Sequence, residues 1–241
     1  PSVFTKDQIS SNFQISANNI FTIYEGVSYP YSLCHSGSAI VVNPESILKK
    51  PKLSSFKSLQ KKYKLDKPYF VYTGSAYPSK NIPILLKAVK QIDSKLIIAC
   101  VRNIFWDRLK KEVENLGLTK NVTLPGKVPD EDLITLYRNA SAFVMPSLME
   151  GFGLPALEAM SAGCPIISSN TGSLPEIYGK HALYFNPDKY QELVGLMQEV
   201  LVWSNDKRNK EISSGQKYSR QYQWSKAAKE TLNLYNKILS K

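Results

Sequence analysis

Residues 142–165 constrain the fold of this chain more than any other stretch. Ala142-Phe143-Val144-Met145 is a short apolar run of the kind that forms a buried strand. A loop carrying Gly151 and Gly153 follows. Pro155 then suits the first helical position, because its φ is already helical and its missing N–H is not needed there. Ala156 to Ala162 is good helix-forming sequence, and Gly163 suits the C-terminal cap. The order is strand, glycine loop, helix. Backbone N–H groups in such a loop, together with the helix dipole, attract anions and above all phosphate. Glu150 and Glu158 bracket the loop. Carboxylates repel phosphate, so they suit the neutral parts of a ligand. A carboxylate accepts two hydrogen bonds from a vicinal diol, as in a sugar or ribose. A ligand with both phosphate and sugar therefore fits the loop.

The rest of the chain repeats the alternation. Tyr69–Tyr72 reads as a strand running into Thr73-Gly74-Ser75-Ala76-Tyr77-Pro78-Ser79-Lys80. A helix follows over 82–92, with Ile84, Leu85, Ala88 and Val89 on one face. Leu96–Ala99 and Val122–Leu124 read as further strands, with a helix over 105–116 between them. Asp130 is placed to cap a helix running through Tyr137. Ile166-Ile167 and Ala182–Phe185 complete the strands, and beyond Pro187 the pattern is helical to the end with breaks near Asn205 and Gln223. Strands alternating with helices predict an α/β fold with a parallel, doubly wound, Rossmann-like sheet. Such sheets bind ligands at the C-terminal ends of their strands, near the switch point. The loops at Gly74 and Gly151 both lie at such ends. At the N-terminal end, Ser2-Val3-Phe4 reads as the end of a strand. Thr5 reads as the cap of a helix, with Gln8 at capping-box spacing. Ile20–Tyr24 reads as a strand. Residues 28–67 form a long lysine-rich connection with a short helix around 54–63.

The block from Glu150 to Glu158 resembles the E-x7-E motif of family 4 retaining glycosyltransferases, which have the GT-B fold. Pro146-Ser147, Gly151-Phe152-Gly153-Leu154-Pro155, Ala162-Gly163-Cys164-Pro165 and Gly172-Ser173-Leu174-Pro175-Glu176 match the same pattern. By this resemblance the chain is the C-terminal, donor-binding half of a GT-B enzyme. Residues 1–27 would be the end of the N-terminal domain and the hinge, 28–67 the connecting segment, 68–221 the nucleotide-sugar-binding domain, and 222–241 a final helix. Tyr222-Gln223-Trp224-Ser225 loosely resembles the signature that opens that helix, and a core aromatic pair accounts for it equally well. The resemblance implies that Glu150 holds the transferred sugar and Glu158 the ribose hydroxyls. The N–H groups of Gly151, Phe152, Gly153 and Leu154 would meet sugar or phosphate. Gly74 and Lys80 would meet the diphosphate, and the Val128 backbone the base, although a plain strand-to-helix turn explains Val128 as well. Family members commonly carry arginine directly after the first glycine, where this chain has Ser75, so one diphosphate cation is missing.

Composition narrows the alternatives. No His/Cys cluster occurs, so no metal is expected, and the resemblance implies a GDP- or UDP-linked donor. The chain lacks G-x-S-x-G, which argues against an α/β-hydrolase, and G-x-G-x-x-G, which argues against an NAD enzyme. His35 and His181 have no partner at useful spacing. Three distant cysteines, Cys34, Cys100 and Cys164, fit a reduced cytoplasmic protein. No run of eighteen apolar residues and no signal peptide is present. The first residue is Pro1 rather than methionine, and a longer natural chain with the rest of an N-terminal domain is expected. This stretch alone is then expected to bind donor without transferring sugar. The formal net charge is +11, and eight lysines fall between Lys49 and Lys67. A solvated basic face explains them most simply. Contact with an anionic membrane surface, at the inner face of the membrane, is the next reading, and nucleic acid the least favoured. Two other classes share some of these features. One is a nucleotide-sugar-binding module without catalysis. The other is a sugar-nucleotide epimerase of the same fold, which would lack the Glu150–Glu158 block.

Overall fold

A computed structural model describes residues 2–27 and 53–240. Cys34, His35, and residues 28–52 of the lysine-rich connection lie outside the described residues. Six strands form one parallel sheet: β1 (Tyr69–Thr73), β2 (Lys95–Ala99), β3 (Val122–Thr123), β4 (Ala142–Met145), β5 (Ile166–Ser169) and β6 (Leu183–Phe185). Their order is β3-β2-β1-β4-β5-β6. The sheet is the doubly wound one that the alternation predicts.

The strands read as near-continuous apolar runs because both faces are covered. In β1, Tyr69 and Val71 point into one core while Phe70 and Tyr72 point into the other. In β4, Phe143 and Met145 share the first side, and Ala142 and Val144 the second. The first core is closed by α2 (Phe56–Tyr63), α5 (Asp130–Asn139) and α6 (Leu154–Ala162). The second is closed by α3 (Ile82–Val89), α4 (Ile104–Asn115) and α8 (Tyr190–Leu201). Between β1 and β4, Phe70 pairs with Ala142 and Val71 with Phe143. Here the chain order reverses, and a crevice opens above the strand ends.

Helix α6 is apolar nearly all round, as befits a helix buried on several sides. It is backed by the polar α9 (Asn205–Ser219), where Gly215 lets the two helices approach. Arg208 of α9 donates to the carbonyls of Ala140 and Ser141 at 2.6 and 3.0 Å, which ties α9 to the start of β4.

Several local expectations are corrected. Val3 and Phe4 do not end a strand; they form the first turn of α1 (Val3–Phe13). Ser2, not Thr5, is its cap and accepts from the Thr5 N–H at 3.1 Å. Ile20–Tyr24 forms no strand and pairs with none among the described residues. Tyr24 packs inward instead, 6.1 Å from both Phe152 and Tyr222, ring to ring, whereas Phe21 is about half exposed. Pro129 rather than Asp130 occupies the cap of α5, and Asp130 is its first residue. Pro155 is the second residue of α6, after Leu154. Of the Tyr222/Trp224 pair, Tyr222 is buried, whereas Trp224, the first residue of α10 (Trp224–Leu239), is half exposed.

Asp132, buried in α5, ties α2 to the sheet-covering layer. It accepts from Lys62 at 2.6 Å, from Tyr63 at 2.9 Å and from Ser54. Burial alone would raise its carboxyl, but the hydrogen bonds from Lys62, Ser54 and Tyr63 outweigh it and hold the group below the usual aspartate range. That stabilisation is present above the unfolded-state pKa and is lost as pH falls through the lowered folded value. Asp132→Ala should therefore cost about 1.5–3 kcal/mol near neutral pH. Urea denaturation should show the gap between variant and wild type closing as pH drops below about 3.9.

Candidate functional site

The two glycine loops meet at the β1/β4 crevice. After β1 the chain passes Gly74, at φ +148°, where a Cβ would lie 2.9 Å from the Tyr72 hydroxyl. That hydroxyl donates to the Ser75 carbonyl at 2.7 Å and shapes the turn. Pro78–Lys80 form a single 3-10 turn, so Lys80 precedes α3 and is not part of its first helical turn. After β4 the chain runs through Pro146–Gly153 into α6. The Leu148 N–H donates to the Ser79 carbonyl at 2.8 Å, which stitches the two loops together.

The stitch brings together two of the expected site residues. Lys80 Nζ lies 2.6 Å from Glu150 Oε1, with both side chains largely shielded from water. Ser147 Oγ donates to the same oxygen at 2.7 Å. Glu158 is a nearly buried carboxylate inside an otherwise apolar helix, at 7% exposure. Acidic side chains are seldom buried to that degree without a role or a partner. Gly153, at φ +90°, is the N-terminal cap of α6, and its carbonyl accepts from Tyr178 at 2.7 Å. The N–H groups of Gly153 and Leu154 have no partner among the described residues. They stand at the positive end of the helix dipole. Phe152 is turned away from the loop surface: its ring is buried 5.6 Å from that of Tyr222, so only its backbone is available to a ligand.

Beside the first loop lies a cleft of about 280 Å³. It is lined by Thr73, Gly74, Ala99, Cys100, Val101, Gly126, Lys127, Val128, Asp130, Leu133 and Pro155. The Val128 side chain is in the core, so the backbone is what it can offer here. Pro155 lines the cleft and Glu158 follows one helical turn later, on the same face of α6. Burial pushes the Cys100 thiol up to about 11, which keeps it protonated and unreactive at neutral pH. The site thus offers a lysine, two carboxylates, unpaired N–H groups at a helix start, and an adjoining, mostly apolar cleft. Among the described residues, no three or more His, Cys, Asp or Glu side chains come together to hold a metal ion. No helix among them is long and apolar enough to cross a membrane.

The sequence reading missed several contributors. Ser147 and Ser173 hold Glu150 through its carboxylate and its carbonyl, at 2.7 and 2.9 Å. Glu176 accepts from the N–H groups of Val3 and Phe4 at 2.8 and 3.0 Å and from the Tyr24 hydroxyl at 2.9 Å. It therefore caps α1 from across the molecule, and Thr5 Oγ1 reaches the Gly151 carbonyl at 3.4 Å. Burial, then the contact with Glu176, pushes the Tyr24 hydroxyl up to about 12. Ser147 carried a local signal, three residues before Glu150; Glu176 carried none for its partners. His181 is not without a partner. Its Nδ1 lies 3.0 Å from Ser214 Oγ and its ring stacks on Tyr218 at 4.2 Å, beside β6 and away from the glycine loops.

Residues 55–218 match the family described as glycosyl transferases group 1. An O-antigen chain mannosyltransferase of Escherichia coli is 36% identical over 175 residues, covering 69% of this chain and 45% of that protein. An O-antigen chain mannosyltransferase of Salmonella typhimurium is 34% identical over 170 residues, covering 70% and 45%. A crystal structure of a glycosyltransferase from Rickettsia africae shares the fold at TM-score 0.79 and 19% identity, over 99% of this chain and 62% of that one. An Anabaena protein solved in complex with UDP shares it at TM-score 0.65 and 19% identity, over 75% and 52%. The chain spans under half the length of these two curated relatives.

A side chain at Gly153 would test how tightly the second loop is built. A Cβ there would stand 2.1 Å from the Tyr178 hydroxyl and 2.8 Å from Leu174 Cδ2. The left-handed φ adds roughly 1–2 kcal/mol for any L-residue. Gly153→Ala should cost about 2 kcal/mol or more, a fall in Tm of about 4–8 °C, readable by calorimetry.

Proposed function

Because this chain belongs to the group 1 glycosyl transferases, we propose that it is the donor-binding part of a retaining hexosyltransferase. The enzyme would move a sugar from a nucleoside-diphosphate donor to a glycan or lipid-linked acceptor. Mannose is the first sugar to test, because the O-antigen chain relatives carry mannosyltransferase names. Retention rests on the resemblance of the Glu150–Glu158 block to the E-x7-E enzymes. The observation that carries the reading is the meeting of Lys80 and Glu150 at the switch point, with Glu158 on the same face as the adjoining cleft.

In this reading the base and ribose enter the cleft, and Glu158 accepts hydrogen bonds from the ribose hydroxyls. The diphosphate lies at the Gly153–Leu154 N–H groups and Lys80. The sugar lies against Glu150. When the bond from the sugar to the diphosphate oxygen breaks, negative charge grows on the leaving diphosphate. Lys80 and the start of α6 are placed to meet that charge, so the contribution of this chain is positioning and electrostatic stabilisation. Lysine has three donors, so Lys80 can hold Glu150 and a phosphate oxygen together. With Ser75 in place of an arginine, Lys80 takes a larger share of the diphosphate. That substitution also favours a second reading, a module that binds nucleotide sugar without turning it over. We place the protein in the cytoplasm, with the basic excess available to an anionic membrane face.

Two binding measurements test the reading. Glu158→Gln should weaken GDP or UDP binding about tenfold, since a hydrogen bond to a charged group is worth roughly 1.5–3 kcal/mol. An unchanged dissociation constant by calorimetry removes Glu158 from the ribose. Lys80→Ala should reduce affinity for the nucleoside diphosphate much more than for the bare nucleoside. Equal losses for the two ligands would show that Lys80 does not face the diphosphate.

A further inference from the structure

The Glu150 carboxylate is held through one oxygen. Oε1 accepts from both Lys80 Nζ and Ser147 Oγ, at 2.6 and 2.7 Å, while Oε2 accepts no hydrogen bond among the described residues. The two donors differ in kind. Lys80 sits on a flexible stem and is 23% exposed, so it can follow a ligand. Ser147 is fully buried. Among the described residues, the one other contact of its hydroxyl is the weakly accepting Met145 Sδ at 3.5 Å. A buried hydroxyl proton left without an acceptor is costly, and a carboxylate oxygen is a strong one.

Ser147 is in turn pinned from behind. Its carbonyl accepts from Ser169 Oγ at 2.6 Å and from Thr171 Oγ1 at 3.0 Å. The Glu150 carbonyl accepts from Ser173 Oγ at 2.9 Å. These three hydroxyls come from the end of β5 and the loop before α7 (Leu174–Tyr178). The loop that carries Glu150 is thus fastened to the sheet by hydroxyls, and one of its own hydroxyls fastens the carboxylate.

We propose that Ser147 is a positioning residue for the sugar. It fixes the rotation of the Glu150 carboxylate so that Oε2, the unengaged oxygen, is the one offered to the donor. This rests on the donor-binding reading given above. Ser147 keeps Glu150 in place when Lys80 turns part of its hydrogen bonding to the diphosphate. A hydroxyl in the core loses little freedom in doing so, because its surroundings already hold it.

The test separates the sugar from the rest of the donor. Wild type, Ser147→Ala, Ser147→Cys, Glu150→Ala and the Ser147→Ala/Glu150→Ala double variant are titrated by calorimetry with two pairs of ligands. The pairs are GDP with GDP-mannose and UDP with UDP-glucose. The ratio of dissociation constants within a pair isolates the sugar contribution. Ser147→Ala should leave the nucleoside diphosphate within twofold and cut the sugar contribution about tenfold. Ser147→Cys fills the same space with a weak donor and should show the same cut, which separates the hydrogen bond from packing. On the Glu150→Ala background the serine change should add nothing. Equal losses for both members of a pair, full recovery with cysteine, or an additive loss in the double variant would overturn the role of Ser147. A wild type that binds none of the four ligands would overturn the donor-binding reading itself.

Discussion

The pairing of β1 with β4 is the contact on which the rest of the structure depends. The two strands are neighbours in the sheet but lie more than sixty residues apart in the chain. From β1 the sheet grows one way through β2 and β3, and from β4 it grows the other way. Covering helices go to both faces, and the strand ends at the junction are left uncovered. Gly74 and the Gly151–Gly153 loop arrive at that gap from the two strands. The hydrogen bond from Leu148 to Ser79 closes the join between them. Everything assigned to the ligand follows from that adjacency. Neither loop alone holds both a cation and a pair of carboxylates.

The energetic character of the site follows from burial. Charged side chains are costly to shield from water unless paired. Lys80 and Glu150 meet that condition by pairing with each other. The Lys80–Glu150 pair is therefore close to neutral as a unit, although the chain carries a large positive excess. Polar satisfaction runs outward in layers. Ser147 serves the carboxylate, Ser169 and Thr171 serve Ser147, and the sheet serves Ser169. Layering of this kind gives a loop with an irregular backbone the rigidity of the strands beneath it.

Much of this was legible in the sequence wherever the signal was local. Tyr69–Tyr72 and Ala142–Met145 are runs of apolar and aromatic residues because both their faces are buried, and that pattern is visible in the sequence. Gly163 marks the end of α6 because only a left-handed cap fits there. Contacts between distant residues were not legible. The spacing of Lys80 and Glu150 suggests separate ligand roles and says nothing of their direct pairing. Ile20–Tyr24 has the β-branched and aromatic composition of a strand, yet Tyr24 packs onto Phe152 and Tyr222 and the backbone pairs with no strand among the described residues. Ser2 displaced Thr5 as the cap because the helix starts earlier than its apolar pattern. Glu176 sits inside a recognisable motif, but its partners lie about 170 residues away.

That last contact has a mechanical consequence. Glu176 grips α1 with both carboxylate oxygens, one on Val3 and one on Phe4, and Tyr24 shares the first oxygen. Two-point attachment resists twisting, whereas a single hydrogen bond would act as a swivel. Three residues before Glu176, Ser173 holds the carbonyl of Glu150, and Thr5 of α1 touches the Gly151 carbonyl. A torque applied to α1 is therefore delivered at two successive carbonyls, those of Glu150 and Gly151. The helix works as a lever arm, and its short end rests on the loop that carries Glu150.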